Sequence, residues 1–215
     1  MEKYLKEREC VAKTMKKLYE RGLTTVSGGN ISLRLTKDLF CITPSQLDKS
    51  ELKADLIAIV GMDGTNYTPD LKLSIESEMH RHLLINRPDI NAVVHSHPIY
   101  ASTFSDAKGE QCSINVRLNA EIYLFMPEIA IVSYCPMGSK ELVSKVSEKG
   151  KTSDVMLLRN HGAIALASTL LKAFDRIDLL ERAAKMTIIS KQMEKVQIEV
   201  EALTGSQCKE LDRLF

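Results

Sequence analysis

The 215-residue sequence lacks several features that mark whole classes of protein. No apolar run approaches the ~18 residues that a membrane span needs, and residues 1–10 are too often charged for the apolar core of a signal peptide. The chain also lacks an excess of charge of either sign, since it has 29 Lys and Arg residues and 28 Asp and Glu residues. Binders of nucleic acids and anionic membranes concentrate positive charge, so neither partner is expected. We expect a cytoplasmic globular protein.

The five cysteines lack the spacing of a disulfide framework or a zinc ribbon. They are odd in number and far apart, and no C-x-x-C pair is present. Small secreted domains have even counts, and zinc ribbons have paired close spacings. We therefore expect reduced cysteines, most of them buried as small apolar residues. They are Cys10, Cys41, Cys112, Cys135 and Cys208.

No repeat, low-complexity tract or flexible linker divides the chain, so residues 1–215 are expected to form one domain. Hydrophobic periodicity and turn residues predict its helices and strands. The predicted helices are 2–21, 74–85, 139–149 and 170–195. The predicted strands are 31–35, 39–43, 56–60, 92–95, 129–132 and 155–158. This mixture predicts a layered α/β or α+β fold with an at least partly antiparallel sheet.

His95 and His97 flank Ser96 at the end of a short apolar run. Alternate residues of a strand point to the same side, so the two imidazoles should project together. Such a pair makes half of a tetrahedral or octahedral divalent-metal site. The same motif can also be a surface accident or two structurally satisfied histidines, and alone it leaves these alternatives open.

A third histidine, His161, follows another apolar run in the tripeptide Asn-His-Gly. Gly162 can adopt a backbone conformation closed to other residues, which would allow a tight loop. A lone histidine after a strand is more often structural than ligating, but a third imidazole is what the pair His95 and His97 lacks. We therefore expect His161 to join them.

The remaining two histidines lie in the predicted helix 74–85. Helical spacing places Glu76 and His80 on one face, and Glu78 and His82 on another. Only one face can look at a metal, and Glu76 near the helix start is a usable fourth ligand or a catalytic base. We expect His80 to support a ligand or to pack the helix rather than to bind the metal. We expect His82 at the surface.

Small polar residues gather at three turns, 27–30, 43–46 and Ser74, called the polar turns below. Backbone N–H groups, hydroxyls and an amide are what a phosphate monoester needs. One such turn usually means only a turn, so the phosphate interpretation depends on their convergence. The sequence has no G-x-x-x-x-G-K-[ST] and no strand-linked G-x-G-x-x-G, which disfavours nucleotide-binding folds.

The ordered set of motifs resembles the class II aldolase/adducin-type family, along most of the chain. No single segment is specific, whereas their order is. The segments are Ser-Gly-Gly-Asn-Ile-Ser at 27–32, Ile-Thr-Pro-Ser at 42–45, Ser-x-Glu-x-x-x-His at 74–80, Arg-Pro-Asp-x-Asn-Ala-Val-Val-His-Ser-His at 87–97 and Asn-His-Gly at 160–162.

This resemblance implies a three-layer α/β/α sandwich around a largely antiparallel, mixed sheet, and a homotetramer with active sites between neighbouring subunits. It implies one zinc ion per subunit, held by three histidines and by Glu76 as a movable fourth ligand. The implied histidine ligands are His95, His97 and His161. The positions implied to hold the substrate phosphate are Gly29, Asn30, Ser45, Gln46, Ser74 and Ile75.

The implied activity is that of a zinc-dependent aldolase. A ketose 1-phosphate, such as L-fuculose 1-phosphate or a related pentulose or deoxypentulose 1-phosphate, would be cleaved between C3 and C4. The metal would act as a Lewis acid and stabilise the enediolate, and Glu76 would move the proton at the carbon that becomes C3 of dihydroxyacetone phosphate. The other product would be an aldehyde.

Three positions depart from the family pattern. Gln46 stands where glycine is common and Ile75 where a second serine is common, which weakens the side-chain contacts to phosphate. The general-acid tyrosine of the family maps near Val116, and the tail after residue 205 contains no tyrosine. Another group must therefore serve the aldehyde side. The candidates are Glu121 and Tyr123, acting from this chain or from a neighbouring subunit, although residues of these types are more often plain surface or interface residues.

Other functions use the same fold. A pentulose-phosphate 4-epimerase or a methylthioribulose-phosphate dehydratase would employ the same histidines with other acid and base groups. A non-catalytic, adducin-like interaction domain would be expected to have lost the metal histidines. All three are present, so the interaction domain is the least favoured of these alternatives.

Overall fold

A seven-stranded sheet forms the centre of the computed structural model, which describes residues 3–107 and 113–214. The strands are β1 (Asn30–Arg34), β2 (Leu39–Ile42), β3 (Ala58–Gly61), β4 (Ala92–Ser96), β5 (Ala130–Val132), β6 (Val155–Leu158) and β7 (Gly162–Ala167). Their order across the sheet is β3-β2-β1-β4-β7-β6-β5. Neighbouring strands are antiparallel except for the parallel pair of β5 and β6. The sheet is therefore mixed and largely antiparallel, as predicted.

Strand β4 lies in the middle of the sheet, between β1 and β7. Its register pairs His95 with Asn30 on one side and with Ile164 on the other. Because these neighbours are antiparallel, the C-terminal end of β4 lies beside the N-terminal ends of β1 and β7. The end of β6 reaches the same edge, since Leu158 pairs with Gly162. Four strand ends therefore meet at one edge of the sheet.

Helices cover both faces of this sheet. They are α1 (Leu5–Glu20), α2 (Ser77–Asn86), α3 (Ile99–Ser105), α4 (Ala120–Phe125), α5 (Lys140–Lys149), α6 (Leu170–Lys195) and α7 (Gly205–Leu211), with short 3-10 helices at Ala54–Leu56 and Val116–Leu118. Successive strand residues point to opposite faces, so Val93 belongs to the core under α2 and α5 while Val94 belongs to the core under α1 and α6. The predicted three-layer α/β/α sandwich is confirmed.

Helix α1 illustrates how the sequence pattern sets an element. Val11, Met15 and Leu18 recur at helical spacing and are fully buried, whereas the lysines of this helix face solvent. The chain leaves the helix at Gly22, whose φ of 68° is a conformation that glycine adopts at little cost. The predicted amphipathic helix is confirmed, with the bounds Leu5–Glu20.

The ends of the other predicted elements shift by at most three residues. Helix α6 and strand β6 have the predicted bounds. Helix α2 begins at Ser77 rather than Ser74, because Ser74 forms a turn ahead of it. The Ser74 hydroxyl accepts the Glu76 backbone N–H at 3.2 Å, and the Ser74 carbonyl accepts that of Ser77 at 3.0 Å. Glu76 therefore lies just before the helix and not within it.

Strand β7 has no counterpart among the predicted strands. Its sequence, Gly-Ala-Ile-Ala-Leu-Ala, is poor in β-branched and aromatic residues, yet all six residues are buried. Its position between β4 and β6 compensates for the weak intrinsic preference. The short helices α3, α4 and α7 are also unpredicted, because six or seven residues are too few for a clear periodic pattern.

Four of the five cysteines lie in the described ranges, and all four are free thiols. Cys41, Cys135 and Cys208 are buried and Cys10 is exposed, which agrees with the prediction of reduced and mostly buried cysteines. Cys112 lies outside the described residues. Among the helices given above, none is long and apolar enough to cross a membrane.

Candidate metal centre

Strand β4 carries the first two histidines to the edge where the strand ends meet. His95 is buried in this strand, and His97 follows its last residue directly. The two ring centroids are 4.8 Å apart, and the two Nε2 atoms are 3.2 Å apart. The imidazoles thus converge on one point, in the way that the alternation of strand side chains predicts.

The third histidine, His161, lies in the turn between β6 and β7. Its ring centroid is 4.8 Å from that of His95 and 5.5 Å from that of His97. Asn160 shapes this turn with a φ of 52°, and its backbone N–H donates to the Asp106 carboxylate at 2.7 Å. The three histidines offer ligand atoms that all lie within 4.8 Å of one another.

Gly162 serves this turn for a different reason from the predicted one. The left-handed conformation belongs to Asn160, and Gly162 is not among the residues with positive φ. A Cβ atom at Gly162 would lie 2.5 Å from His97 Cδ2 and 2.5 Å from the Ser96 carbonyl oxygen. Glycine is required here because a larger residue would occupy the space of His97.

Glu76 completes a buried group of four side chains with the three histidines, called the cluster below. Its carboxylate oxygens lie 3.2 Å from His161 Nε2 and 3.3 Å from His95 Nε2. Glu76 Oε1 and both ring nitrogens of His161 are nevertheless buried without a hydrogen-bond partner in the described chain. Buried polar atoms are costly unless something binds them. A divalent cation would supply the missing partner, so these residues fit a metal.

The protonation states of the imidazoles also suit a metal. Burial lowers the pKa of His95, and burial together with the other two imidazoles lowers the pKa of His97 to about 3. His95 Nδ1 lies 2.9 Å from the Ala163 carbonyl oxygen, which identifies Nδ1 as the protonated nitrogen and leaves Nε2 free as a ligand. Neutral imidazoles need not lose a proton before they bind a metal.

A buried amide holds Glu76 in place. Asn30 Nδ2 donates to Glu76 Oε2 at 2.8 Å, and Asn30 Oδ1 lies 2.5 Å from His80 Nε2. His80 Nδ1 in turn lies 2.7 Å from Ser32 Oγ. The oxygen Oε2 is thereby fixed by a chain of side chains from β1 and α2, while Oε1 lies 3.2 Å from His161 Nε2.

The surroundings of Glu76 keep it ionised and keep His80 neutral. Burial raises the pKa of the Glu76 carboxyl, but the neighbouring imidazoles and the Asn30 amide outweigh burial and lower the pKa overall. Burial lowers the pKa of His80 to about 3. At neutral pH Glu76 is therefore a carboxylate, and the imidazoles of His80, His95 and His97 around it are neutral.

The two histidines of α2 have the different surroundings that we expected. His80 is fully buried and supports Glu76 through Asn30. The His82 side chain is 42% exposed, and its Nε2 lies 3.9 Å from Glu78 Oε2 at the surface.

The polar turns converge beside Glu76. Asn30 Nδ2 joins the first turn to the third, since it lies 3.1 Å from Ser74 Oγ. The Ser45 backbone N–H joins the second turn to the segment that leads to Ser74, since it donates to the Lys72 carbonyl at 2.9 Å. The condition that the sequence left open, convergence of these turns, is therefore met.

Free hydrogen-bond donors open onto solvent where the turns meet. The backbone N–H groups of Gln46 and Ile75 donate to no atom of the described chain, and both residues are exposed. Gln46 has a φ of 60°, and Gly29 has a φ of 67°. A Cβ atom at Gly29 would also lie 2.7 Å from the His95 carbonyl oxygen. Free N–H groups beside hydroxyls such as that of Ser45 can bind an anion.

The two predicted acids of α4 lie away from the cluster within this chain. The Tyr123 hydroxyl donates to the Asp212 carboxylate at 3.1 Å. Burial and the charge of nearby Glu121 raise the pKa of Asp175, which lies near the start of α6. Helix α6 follows the end of β7 that is opposite to Gly162. One chain does not bring Glu121 or Tyr123 to the histidines, and their action from a neighbouring subunit stays a prediction.

Some contributions to the site carry little signature in the sequence. Asn30 stands among the predicted phosphate-binding residues, but in the structure its amide is shared by Glu76, Ser74 and His80. Gly28 is a second glycine that makes room for His97, because a Cβ there would lie 2.7 Å from His97 Nδ1. The repeated small residues of the first polar turn were the only signal for this close approach.

A mixed α/β/α sandwich of this kind is the fold of the class II aldolases whose solved structures the chain matches. The chain belongs to the class II aldolase and adducin N-terminal domain family, whose sequence profile matches residues 9–188. Class II aldolases are metal-dependent, and the three-histidine group is suited to a metal ion.

Relatives within this family differ in the reactions for which they are named. The chain is 35% identical over 180 residues to L-fuculose phosphate aldolase of Methanococcus vannielii, covering 83% of this chain and 93% of that protein. It is 28% identical over 215 residues to 3-oxo-tetronate 4-phosphate decarboxylase of Haemophilus influenzae, covering 97% of each. Its fold matches the crystal structure of YgbL of Escherichia coli with a TM-score of 0.87 and 26% identity, covering 96% of this chain and 98% of that one. For YgbL, aldolase, epimerase and decarboxylase are alternative assignments.

Proposed function

We propose that this protein is a zinc-dependent lyase that cleaves a ketose 1-phosphate between C3 and C4 to dihydroxyacetone phosphate and an aldehyde. The observation that carries the proposal is the cluster itself. Its buried Glu76 Oε1 and His161 nitrogens lack hydrogen-bond partners in the described chain and converge with two further imidazoles.

The proposed zinc ligands are His95, His97 and His161, with Glu76 as the fourth. Neutral imidazoles with one carboxylate are a ligand set that zinc commonly takes. When bound, the metal supplies Lewis-acid stabilisation of the negative charge that develops on the substrate oxygens as the carbon–carbon bond breaks.

Glu76 is also the proposed proton-transfer group. When the C3–C4 bond breaks, its electron pair stays on C3, and C3 must then gain a proton to give dihydroxyacetone phosphate. Asn30 binds Oε2 of Glu76, whereas Oε1 has no hydrogen-bond partner in the part of the chain that is described. Oε1 would therefore leave the metal when substrate binds, take up a proton from solvent and deliver it to C3, while the C4 hydroxyl proton passes to the group on the aldehyde side.

The polar turns are the proposed phosphate site. Exposed backbone N–H groups at Gln46 and Ile75 and the hydroxyls of Ser45 and Ser74 supply donors on one side of Glu76. Gly29 completes the wall next to His95, where its missing side chain lets the backbone approach. A phosphate held there would fix the distance between C1 of the substrate and the cluster.

The neighbouring subunit of a homotetramer is the proposed source of the aldehyde-side acid, Glu121 or Tyr123. Large apolar side chains exposed near the cluster support an interface there. Ile75 is 60% exposed and Met137 is 62% exposed, and the two segments meet where the Cβ position of Gly138 lies 3.0 Å from the Ile75 carbonyl oxygen. Exposed apolar patches of this kind commonly mark subunit or ligand contacts.

A second candidate function is decarboxylation of a 3-oxo sugar acid phosphate. Aldol cleavage requires a base for the C4 hydroxyl proton, and in this chain Glu121 and Tyr123 lie away from the histidines. Loss of CO2 from a carboxylate leaves the same electron pair on the same carbon without any hydroxyl proton to remove. Similarity along 97% of the chain to a decarboxylase of this kind supports the alternative.

One assay separates these candidates. Zinc-loaded protein is incubated with L-fuculose 1-phosphate, ribulose 1-phosphate, 5-deoxyribulose 1-phosphate, ribulose 5-phosphate or 3-oxo-tetronate 4-phosphate, and dihydroxyacetone phosphate is measured by coupled reduction to glycerol phosphate. Release from a ketose 1-phosphate supports the aldolase. Release only from the oxo acid, with CO2, supports the decarboxylase.

Epimerisation of ribulose 5-phosphate without dihydroxyacetone phosphate would favour the epimerase instead. The absence of dihydroxyacetone phosphate from every substrate would overturn the proposed lyase. The Glu76→Gln variant is the matched control, because it keeps the shape of the side chain and removes its ability to carry the proton.

A further inference from the structure

A buried lysine lies directly behind the second polar turn. Lys49 is 2% exposed, and its Nζ donates to the Pro44 carbonyl at 2.5 Å. The Lys49 backbone N–H donates to the Val26 carbonyl at 2.8 Å. Lys49 thus connects two segments from the buried side: Val26, just before the first polar turn, and Pro44 in the second polar turn.

This lysine is costly to bury and is not paired with an acid. Burial lowers the pKa of Lys49 to about 8, and no charged side chain contributes to that shift. Within residues 3–107 and 113–214 the Pro44 carbonyl is the single acceptor for its ammonium group, which has three N–H bonds. A buried cation without a counter-ion is unusual unless a further group offsets its charge.

A second lysine lies in front of the same turn. Lys72 is exposed, and its Nζ donates to Gln46 Oε1 at 3.2 Å. Its backbone carbonyl accepts the Ser45 N–H at 2.9 Å, two residues before Ser74. The two ammonium groups therefore both contact the second polar turn, the buried Lys49 at the Pro44 carbonyl and the exposed Lys72 at the Gln46 side chain.

The proposed phosphate site lacks a positive charge, which these lysines would supply. Its residues supply amides, hydroxyls and backbone N–H groups, but none of them is cationic. They are Gly29, Asn30, Ser45, Gln46, Ser74 and Ile75. A sugar phosphate carries nearly two negative charges at neutral pH, and hydrogen bonds between ionised groups are about twice as strong as neutral ones.

We propose that Lys72 binds the substrate phosphate directly and that Lys49 is a positioning residue that holds the second polar turn in its phosphate-binding shape. This inference rests on the proposed function of the polar turns. Lys72 exchanges the neutral Gln46 amide oxygen for a phosphate oxygen. Lys49 acts through the Pro44 carbonyl, next to the left-handed backbone of Gln46, and its charge lies behind the bound anion.

Inorganic phosphate is the probe that tests Lys72, since it needs no turnover. Its dissociation constant is measured by isothermal titration calorimetry on zinc-loaded wild type, Lys72→Met and the control Lys53→Met, which removes an exposed lysine outside the polar turns. We expect about tenfold weaker binding in Lys72→Met and no change in Lys53→Met. Equal affinities, or no measurable phosphate binding by the wild type, would overturn the inference.

The titration also distinguishes phosphate bound to zinc from phosphate bound to Lys72. Phosphate that sits on zinc is lost when the metal is removed and is insensitive to Lys72→Met, and this result also overturns the inference. Because the titration does not depend on cleavage, a protein that binds phosphate through Lys72 but releases no dihydroxyacetone phosphate would refute the proposed lyase alone.

The role of Lys49 is tested by whether its replacement changes substrate binding, measured as KM and the phosphate dissociation constant, or turnover, measured as kcat. In Lys49→Met we expect the phosphate dissociation constant and KM to rise about fivefold, with kcat and zinc content within twofold of the wild type. A fall in kcat with unchanged KM would contradict a positioning role at the phosphate. If Lys49→Met does not fold, Lys49→Gln keeps a donor for the Pro44 carbonyl without the charge, and an unchanged phosphate affinity in that variant would show that the charge is not needed.

Discussion

The cluster and the polar turns lie side by side, but the protein builds them in opposite ways. The cluster rests on regular structure: the register of β4 with β1 and β7 places His95 beside Asn30, and the β6–β7 turn brings in His161. The polar turns are irregular backbone, with left-handed conformations at Gly29 and Gln46. Strands fix the residues that would hold the metal, whereas side chains behind the turns must fix the backbone that would hold the phosphate.

Charge is also handled differently in the two regions. The cluster buries the Glu76 carboxylate and lowers the pKa of both His95 and His97, which keeps these two imidazoles neutral at neutral pH. Behind the second polar turn, the ammonium of Lys49 is buried, and no acid among the described residues pairs with it. The first region suits a cation and the second suits an anion, and this is the combination that a metal-dependent reaction of a sugar phosphate requires.

The largest effect should follow from removing one imidazole of the cluster. We expect His161→Ala to lose zinc and to lower kcat by at least a thousandfold, because the remaining ligands leave the metal site incomplete. Metal analysis of the purified variant and the dihydroxyacetone phosphate assay check this prediction. The matched control is His82→Ala at the surface, which should keep both zinc and activity.

A smaller effect should follow from releasing Glu76 while the imidazoles stay in place. In Asn30→Ala, Glu76 Oε2 and His80 Nε2 lose their shared amide. We expect kcat to fall about 10- to 100-fold, as is usual when a residue that orients a ligand is removed. Steady-state kinetics with zinc analysis measures it. Full activity in this variant would mean that Glu76 needs no support.

Substitutions at two glycines distinguish a steric requirement, at Gly162, from a requirement for a left-handed backbone conformation, at Gly22. Gly162→Ala would place a methyl group 2.5 Å from His97 Cδ2, so we expect about 1–3 kcal/mol of lost stability together with weaker zinc binding. Gly22→Ala meets no atom within 4 Å but has a φ of 68°, so only a conformational cost of about 1 kcal/mol is expected, with zinc affinity unchanged. Denaturant unfolding and zinc titration test the pair. Equal zinc affinities in both variants would contradict the steric role of Gly162.

The last expected effect concerns Lys49 and appears only in the pH dependence of stability. Its folded pKa of about 8 lies below the unfolded value of 10.5, so between these pH values the unfolded chain holds a proton that the folded chain has lost. Wild-type stability should therefore rise from pH 8 to 10.5, by on the order of 2 kcal/mol, and the rise should be missing in Lys49→Met. Burial raises the pKa of Cys41 to about 12, which works in the opposite direction above pH 9.

The measurement is therefore the difference between the wild-type and Lys49→Met stability curves, obtained from denaturant unfolding across this pH range. Cys41 contributes equally to both curves and cancels. Parallel curves would mean that the Lys49 ammonium is solvated in the folded protein.

The sequence predicts the features that depend on local patterns and misses those that depend on long-range contacts. A layered α/β fold, the convergence of His95 with His97 and the position of β6 follow from local periodicity, whereas the three-layer arrangement is implied only by the family resemblance. The chain from Glu76 through Asn30 to His80 joins residues 46 and 50 positions apart, and only the packing of α2 against the sheet brings them together. Long-range contacts of this kind leave no periodic signal.

Other features escape prediction because burial overrides the local preference. The Ala-rich strand β7 forms only because β4 and β6 enclose it. A lysine in a polar segment normally lies at the surface, so nothing near Lys49 in the sequence indicates that it is 2% exposed. Gly162 suggests a special backbone conformation, whereas the structure requires only the absence of a side chain beside His97.

The central claim is that three imidazoles and Glu76 form one metal centre. X-ray absorption spectroscopy of the zinc-loaded protein tests it most directly. We predict one zinc per chain with three imidazole nitrogens at about 2.0–2.1 Å, the remaining ligands being oxygen. A first shell with sulfur, or with fewer than two imidazoles, would contradict the account.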